Sequence, residues 1–254
     1  MRPGWDLNIV TLPCLLYNLN MIKTVLFDLD DTIFDYKHSR LCGLDALKNA
    51  CPQLSRVPLE DMEAEHEALL NEFYTKVLDG ALTDGNSRLQ RMRLLFKKFG
   101  ADLREEEAAA FAQVYKQAST ANLRAVSGVR ELLDAIKKQV QIGIVTNGMY
   151  ESQTEKIRVC RVEGLYDFLI LSEEVGSRKP DKAIFEAALQ KSGSAPNEAV
   201  FIGDAWETDM IGAANCGIKA VWLNRYNKPC PNAGLVYEIK SFEGMDGISN
   251  YILK

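Results

Sequence analysis

The stretch Lys23-Thr-Val-Leu-Phe-Asp-Leu-Asp-Asp-Thr32 contains a short apolar run that ends abruptly at acidic residues. The run at 25–27 is too short for a stable helix and is rich in strand-favouring residues, so it predicts a buried β-strand. Because side chains alternate along a strand, Asp28 and Asp30 would share a face where the chain leaves the sheet. Two carboxylates held that close repel each other, so one must bind a cation or hold a proton. The alternative is a strand followed by an ordinary Asp-rich turn.

The composition is that of a globular protein. The chain has 254 residues, 47% hydrophobic and 26% charged, enough to bury a large core in one domain or two. Thirty basic and 35 acidic side chains give a formal net charge of -5. An acidic chain is a poor match for nucleic acid, so we expect no nucleic-acid partner. A phosphorylated substrate would require local positive charge or a metal ion.

Cysteine and histidine usage argues against several classes of site. The six cysteines form neither Cys-x-x-Cys pairs nor a dense framework, which argues against disulfides and structural zinc and favours a cytoplasmic location. His38 and His66 are the two histidines, and both lie far from any serine or cysteine motif. We therefore expect no histidine-dependent catalytic triad, and we interpret both as ordinary residues of a helical segment.

The first 20 residues differ from the rest of the chain. Their apolar run at 9–16 contains Pro13, is too short to span a bilayer and lacks a small-residue cleavage site. We expect neither membrane association nor a secretion signal. Residues 1–20 are predicted to form a loosely ordered N-terminal extension, unless translation starts at Met21.

Apolar residues recur at helical spacing between residues 36 and 121. The first helix is predicted to stop at Pro52, and the third to end at Gly100. The fourth is predicted to open at Asp102, with Glu105 at capping-box spacing. Four amphipathic helices without an intervening strand predict a helical domain, 36–121, inserted after the first strand.

After this insert, strands and helices alternate. Strands separated by helices predict a parallel sheet with helices on both faces, an α/β fold whose core comprises residues 21–35 and 122–254. The predicted strands after the insert are 142–145, 168–171, 200–202 and 220–223, and the predicted helices are 129–136, 183–189 and 210–215.

Polar residues follow several of these strands, at the edge of the sheet where ligands bind. Asp28 and Asp30 end the first strand, Thr146-Asn147-Gly148 ends the second, and Gly203-Asp204 ends the strand at 200–202, with Asp209 five residues on. Arg178-Lys179-Pro180 lies before that strand, and Pro180 is predicted to begin a helix. Each motif alone is typical of a turn, a loop or a helix entrance. Together and in this order they predict one site.

This set of motifs resembles the haloacid dehalogenase-like (HAD) hydrolase superfamily. The pattern is Asp-x-Asp-x-Thr from Asp28, then Thr146, then Lys179-Pro180, then Gly203-Asp204 with Asp209. The resemblance covers nearly the whole chain from Met21 onward. It implies a Rossmann-like core, a helical cap between the first two motifs, dependence on Mg2+, and phosphoryl transfer through an aspartyl-phosphate.

Within this resemblance, Asp28 would be the nucleophile, and Mg2+ would neutralise its repulsion from the phosphate. The ligands would be Asp28, Asp204 and, by resemblance, the backbone carbonyl of Asp30; Mn2+ accepts similar ligands. Asp30 would protonate the leaving oxygen and later accept a proton from water. Dehalogenases of this superfamily lack an aspartate at that place, so its presence favours phosphate esters.

The remaining predicted roles concern the phosphoryl group and the loop after the first strand. Lys179, the Thr146 hydroxyl and the stretch Asn147-Gly148 with its backbone N–H groups would bind the phosphate. Asp209 would hold Lys179 or a metal-bound water. Asp31 is interpreted as a turn residue, and Thr32 is expected to hold the loop by a hydrogen bond.

The substrate is expected to be a small phosphorylated metabolite, bound by a monomer or homodimer. The stretches 142–148, 172–180 and 203–224 resemble the bacterial pyrimidine 5′-nucleotidase branch, which implies nucleoside monophosphates as substrates. Alternatives are a sugar-phosphate phosphatase, a phosphosugar mutase, or a catalytically silent HAD-fold binding protein. The insert's aromatic residues form either a base-stacking platform or ordinary helical core. They are Phe73, Tyr74, Phe96, Phe99, Phe111 and Tyr115.

Overall fold

A parallel β-sheet forms the centre of the molecule. The computed structural model describes residues 21–78, 81–244 and 252. The strands are β1 (Thr24–Phe27), β2 (Gln141–Thr146), β3 (Phe168–Leu171), β4 (Ala199–Gly203), β5 (Lys219–Leu223) and β6 (Val236–Ile239). They lie in the order β3-β2-β1-β4-β5-β6, and all neighbouring pairs are parallel. The predicted α/β class is confirmed, and β6 is an edge strand that the sequence pattern did not reveal.

Within the described residues, helices form in each region where apolar periodicity predicted one, and two further helices, Tyr150–Cys160 and Ser172–Val175, form where none was predicted. The helices are α1 (Tyr36–Ala50), α2 (Leu59–Leu78), α3 (Asp84–Lys98), α4 (Glu105–Ala121), α5 (Val129–Ile136), α6 (Tyr150–Cys160), α7 (Ser172–Val175), α8 (Lys182–Ser192) and α9 (Ile211–Asn215). Short 3-10 turns cover Pro52–Leu54 and Pro196–Glu198, and a π-helical turn, Trp206–Met210, precedes α9.

Strand β1 lies in the middle of the sheet and is fully buried. Its alternate residues face two separate apolar cores: Val25 and Phe27 belong to one, and Leu26 to the other. In the register of the sheet, Phe27 lies beside Ile144 of β2 and Ile202 of β4. The carboxyl ends of these three strands therefore meet at one edge, which brings together residues far apart in the sequence.

Helices α1 to α4 follow β1 and pack around an apolar core of their own. Leu44, Leu47, Met62, Leu95 and Phe96 are buried there. This agrees with the predicted helical insert, whose limits at 36 and 121 stay a prediction. The predicted extension at 1–20 lies outside the described residues.

One helix, α4, starts later than predicted, and Pro180, predicted to begin a helix, lies outside one. Helix α4 begins at Glu105, not Asp102, because the N–H of Arg104 donates to the Glu107 carboxylate at 2.9 Å, while Leu103 is buried before the helix. The acidic residues of its first turn suit the positive end of the helix dipole.

Helix α8 begins at Lys182, not Pro180. The N–H of Asp181 donates to the carbonyl of Arg178 at 2.8 Å, so the backbone makes a turn around Lys179 before the helix starts. Met210, predicted to open a helix, instead ends the π-helical turn Trp206–Met210. No helix within the described residues combines the length and apolarity that crossing a membrane requires.

Candidate active site

A buried lysine joins two aspartates at the carboxyl edge of the sheet. Lys179 Nζ lies 2.5 Å from Asp28 Oδ1 and 2.8 Å from Asp209 Oδ1. The three residues are 2%, 6% and 0% exposed, respectively. Although burial lowers the pKa of Lys179, the charges of Asp209 and Asp28 raise it above its usual range, so the lysine remains a cation.

The backbone holds Asp28 and Lys179 in these places. The N–H of Asp28 donates to the carbonyl of Ile202 at 2.9 Å and ties the end of β1 to β4. The Asn147 side chain makes two hydrogen bonds to the backbone of Lys179, accepting its N–H at 2.8 Å and donating to its carbonyl at 3.0 Å. Asn147 therefore fixes the turn that carries the lysine into the site.

Gly203 and Ala205 fix Asp209. The Oδ2 atom of Asp209 accepts the N–H of Ala205 at 3.1 Å. A Cβ atom at Gly203 would lie within 2.8 Å of three side-chain atoms of Asp209. Only glycine at the end of β4 therefore leaves room for this carboxylate.

Three carboxylates form an acidic cluster in which ligand oxygens of Asp28, Asp204 and Asp209 lie within 4.8 Å of one another. Burial, reinforced by the charges of neighbouring aspartates, raises the pKa of Asp28 to about 7 and that of Asp204 well above its usual range. The single positive charge of Lys179 cannot balance three carboxylates if all of them are ionised. An oxygen-only donor set with excess negative charge fits Mg2+.

Asp30 lies outside this cluster. Its Oδ2 atom contacts Lys156 Nζ at 2.7 Å and accepts from Gln153 Nε2 at 3.3 Å. Strand β1 ends at Phe27, so the alternation expected to place Asp28 and Asp30 on one face no longer holds in the turn. Asp31, as interpreted from the sequence, is a turn residue, with a positive φ of 61°.

The stretch Thr146-Asn147-Gly148 at the end of β2 makes hydrogen bonds to neighbouring polar side chains. Gln153 Nε2 donates to Thr146 Oγ1 at 2.7 Å. The N–H of Gly148, predicted to bind phosphate, donates to Ser172 Oγ at 3.0 Å. The Thr146 hydroxyl accepts from Gln153, so its own hydrogen is oriented away from that amide.

An arginine on the loop after β5 fixes the loop after β1. Arg225 Nη2 lies 2.7 Å from Asp35 Oδ1 and 3.3 Å from Asp31 Oδ1. Asp35 Oδ2 also lies 2.8 Å from Arg124. The prediction that Thr32 holds the loop by a hydrogen bond is wrong, since its buried Oγ1 has no partner among the described residues. The ion pairs of Arg225 with Asp31 and Asp35 hold the loop instead.

A cavity of about 920 Å³ lies beside Asp30, between α1 to α3 and the sheet edge. Among the residues that the structure describes, five basic and three acidic side chains line it, so this part of its wall is more positive than the acidic chain as a whole. The basic residues are Arg40, Arg88, Arg91, Lys156 and Arg178.

Most of the aromatic residues considered as a stacking platform pack in the helical core. Phe73 and Phe96 are buried, and Phe99, Phe111 and Tyr115 pack against the same cluster. Tyr115 also lines a neighbouring cavity, where its ring stacks on His66 with centroids 5.2 Å apart. Of the side chains that the structure describes, Tyr36 is the aromatic one that lines the cavity beside Asp30.

The sequence analysis missed Gln153, Lys156, Ser172 and Arg225. Gln153 and Lys156 lie on α6, the helix after Thr146-Asn147-Gly148. The helix after a strand begins at the carboxyl edge of the sheet, so polar residues in the first turns of α6 were the available signal.

Comparisons with known proteins agree with this geometry. A family model described as haloacid dehalogenase-like hydrolase matches residues 25–223. A glyceraldehyde 3-phosphate phosphatase of Methanopyrus kandleri is 31% identical over 81% of this chain and 85% of that protein. The pyrimidine 5′-nucleotidase YjjG of Escherichia coli is 28% identical over 82% of this chain and 88% of that protein.

A solved structure extends the agreement to the fold. The HAD-hydrolase YfnB of Bacillus subtilis, solved bound to magnesium, has a TM-score of 0.67 and 24% identity, covering 91% of this chain and 99% of that one. Because the family match spans most of the chain and the four motifs meet at one edge of the sheet, this chain belongs to the haloacid dehalogenase-like hydrolase family.

Proposed function

We propose that this chain is a Mg2+-dependent phosphatase that hydrolyses small phosphomonoesters through a phosphorylated Asp28. The observation that carries the proposal is the buried contact of Lys179 with Asp28 and Asp209, beside Asp204. Phosphoryl transfer needs a nucleophile, fixed positive charge and ligands for a hard cation in one place. The residues at this edge of the sheet are suited to all three roles, which supports the proposal.

In the first step, a carboxylate oxygen of Asp28 would attack phosphorus, and the bond from phosphorus to the leaving oxygen would break. Asp30 would give its proton to that oxygen, and the alcohol would leave. Lys179 would stabilise the negative charge on the phosphoryl oxygens. The hydroxyl of Thr146 would donate to one of them, since its acceptor side is already occupied by Gln153.

In the second step, Asp30 would take a proton from water, and the water oxygen would attack phosphorus. The bond to Asp28 would break and release inorganic phosphate, which returns the carboxylate. Asp28, Asp204 and the backbone carbonyl of Asp30 would hold Mg2+. A carboxylate oxygen of Asp209 lies within 4.8 Å of those of Asp28 and Asp204. When bound, Mg2+ would neutralise the charge that builds up between the carboxylate and the phosphate.

Nucleoside 5′-monophosphates are the first substrate class we propose. The core stretches 142–148, 172–180 and 203–224 support it by resemblance, as does the relative YjjG, which is named as a pyrimidine 5′-nucleotidase. Sugar phosphates are an equally supported second class, because another relative is named as a glyceraldehyde 3-phosphate phosphatase. The polar side chains that line the described part of the cavity suit the second class.

Phosphate release across a substrate panel tests both levels of the proposal. The panel contains nucleoside monophosphates, sugar phosphates and phosphoamino acids, with Mg2+ present and Asp28→Asn as the blank. Preference for pyrimidine monophosphates would support the nucleotidase, and preference for sugar phosphates the second class. Transfer of phosphate within a sugar, without release, would indicate a mutase. No release from any ester would mean a binding protein and would overturn the proposal.

A further inference from the structure

Two side chains of α6 converge on a single oxygen of Asp30. Gln153 and Lys156 are three residues apart, so they lie on the same face of the helix. Lys156 Nζ lies 2.7 Å from Asp30 Oδ2, and Gln153 Nε2 lies 3.3 Å from the same atom. The contact bridges a distance of 126 residues in the sequence.

The other carboxyl oxygen of Asp30, Oδ1, does not take part in these contacts. Asp30 Oδ1 is buried and has no hydrogen-bond partner among the described residues. A buried carboxyl oxygen without a partner is unfavourable unless another group meets it. In the proposed mechanism, the group that meets Oδ1 would be the leaving oxygen in the first step and the attacking water in the second.

Lys156 is itself held in place by aromatic rings. Its Nζ lies 5.3 Å from the ring centroid of Tyr36 and 5.7 Å from that of Phe34. The side chain is 20% exposed, so water competes little for the ammonium group. Cation–π attraction on one side and the carboxylate on the other restrict the lysine to one position.

Gln153 links the same carboxylate to the phosphate-binding motif. It is 1% exposed, and its Nε2 also approaches Thr146 Oγ1 at 2.7 Å and the carbonyl of Asn147 at 3.3 Å. A Cβ atom at Gly148 would lie 2.5 Å from this nitrogen, so glycine leaves the space that the amide occupies. Asp30 and Thr146 are thereby held in a fixed relation.

We propose that Lys156 and Gln153 are positioning residues that anchor Asp30 Oδ2, so that Oδ1 faces the leaving oxygen and exchanges the proton. This inference rests on the proposed acid–base role of Asp30. Since the pair acts on one proton transfer, its loss will affect substrates in proportion to their need for that proton. A purely structural role would affect all substrates alike.

The test compares kcat/KM on two esters, because kcat/KM reports the steps up to departure of the alcohol. p-Nitrophenolate leaves without a proton, whereas an alkoxide needs one. We expect Lys156→Met to lower kcat/KM on the best alkyl phosphate of the panel by at least about tenfold, and on p-nitrophenyl phosphate by less than about threefold. Lys156→Arg keeps the cation and should recover most of the activity.

Arg158→Met is the matched control. Arg158 is a cation of the same helix whose exposed side chain pairs with Glu155, so its removal should leave both kcat/KM values unchanged. Circular dichroism of each variant checks the fold. A similar loss on both esters, or a rise in KM with kcat unchanged, would overturn the inference.

A double-mutant cycle gives a second test. The cycle is measured as kcat on p-nitrophenyl phosphate, because Asp30 is also the proposed base of the second step. In an Asp30→Asn background, Lys156→Met should cause no further loss of kcat, because it acts through Asp30. If the double variant lost activity by the product of the two single losses, the inference would be overturned. Failure of the proposed function is distinct, because wild-type protein would then release no phosphate, or Asp28→Asn would remain active.

Discussion

Lys179 is the residue on which the electrostatics of the site depend. It contacts Asp28 and Asp209 at 2.5 and 2.8 Å, and all three side chains are removed from water. Replacing it by Met would leave two buried carboxylates without their cation. We expect Lys179→Met to abolish phosphatase activity and to lower the free energy of unfolding by about 3 kcal/mol, measured by urea denaturation with EDTA present.

A nearby lysine provides the control for this prediction. Lys182 is three residues on, and its side chain is 65% exposed and pairs with exposed Glu186. Lys182→Met should leave the free energy of unfolding nearly unchanged, because an exposed ion pair contributes little to stability. A loss below about 1 kcal/mol for Lys179→Met would show that the buried ion pairs are not what holds the site together.

The turn between β2 and α6 shows how an element positions several functional groups at once. Gly148 borders the amide of Gln153, and the added methyl group of Gly148→Ala would overlap it. We expect activity to fall at least about tenfold and stability to fall by about 1–3 kcal/mol, measured by phosphate release and urea denaturation.

Gly234 is the control, because a Cβ atom there would make only an ordinary contact, at 3.4 Å, with Asn232. Gly234→Ala should leave phosphate release unchanged. Full activity in Gly148→Ala would mean that Gln153 can move without consequence for the site.

Helix α2 makes the stability of the helical insert depend on pH. Burial, together with the charges of Arg40 and Arg91, lowers the pKa of His66 from 6.5 to about 3. Between these values the unfolded chain binds a proton that the folded chain refuses, so stability falls as the pH falls below 6.5. From pH 7 to 5, wild type should lose about 1–2 kcal/mol more than His66→Leu in urea denaturation. Equal losses would contradict this account.

The same elements show what the sequence made predictable. The ends of β1, β2 and β4 were found because short apolar runs stop at polar residues there, and the parallel-sheet rule then brought Asp28, Thr146 and Asp204 together. The start of α4 was misplaced because Asp102 and Glu105 have capping-box spacing in the sequence. In the structure, the N–H of Arg104 donates to Glu107 instead. Gln153 and Lys156 were missed because polar residues on a helix usually face solvent, and only the fold turns this face toward Asp30.

In the whole molecule, the acidic cluster joins segments that are far apart in the sequence, so a metal ion that binds only the folded chain should stabilise it. The acidic cluster of Asp28, Asp204 and Asp209 is preformed in the structure. We expect Mg2+ at 100 times its Kd to raise the free energy of unfolding by about 2.7 kcal/mol, measured by thermal or urea denaturation.

Two variants make this prediction specific. Asp204→Asn should remove the effect of Mg2+, whereas Glu207→Gln, which alters an exposed carboxylate three residues on, should keep it. Sodium at equal ionic strength should not substitute for Mg2+. Stabilisation that persists in Asp204→Asn would place the ion elsewhere.

The cavity beside Asp30 lies between the sheet edge and helices α1 to α3. Arg40, Arg88 and Arg91 reach the cavity from α1 and α3, and Arg178 and Lys156 reach it from the sheet side. If this cavity receives the leaving group as proposed, residues of the sheet edge would carry the chemistry, and side chains from both sides would contact that group.

The proposed mechanism requires that the phosphoryl group pass through Asp28. Turnover quenched in acid, followed by mass spectrometry of proteolytic fragments, measures it most directly. We predict that the fragment containing Asp28 gains the mass of one phosphoryl group during turnover with Mg2+ and loses it when substrate is exhausted, and that Asp28→Asn shows neither the gain nor phosphate release. A phosphoryl group on another residue, or unchanged turnover in Asp28→Asn, would contradict the account.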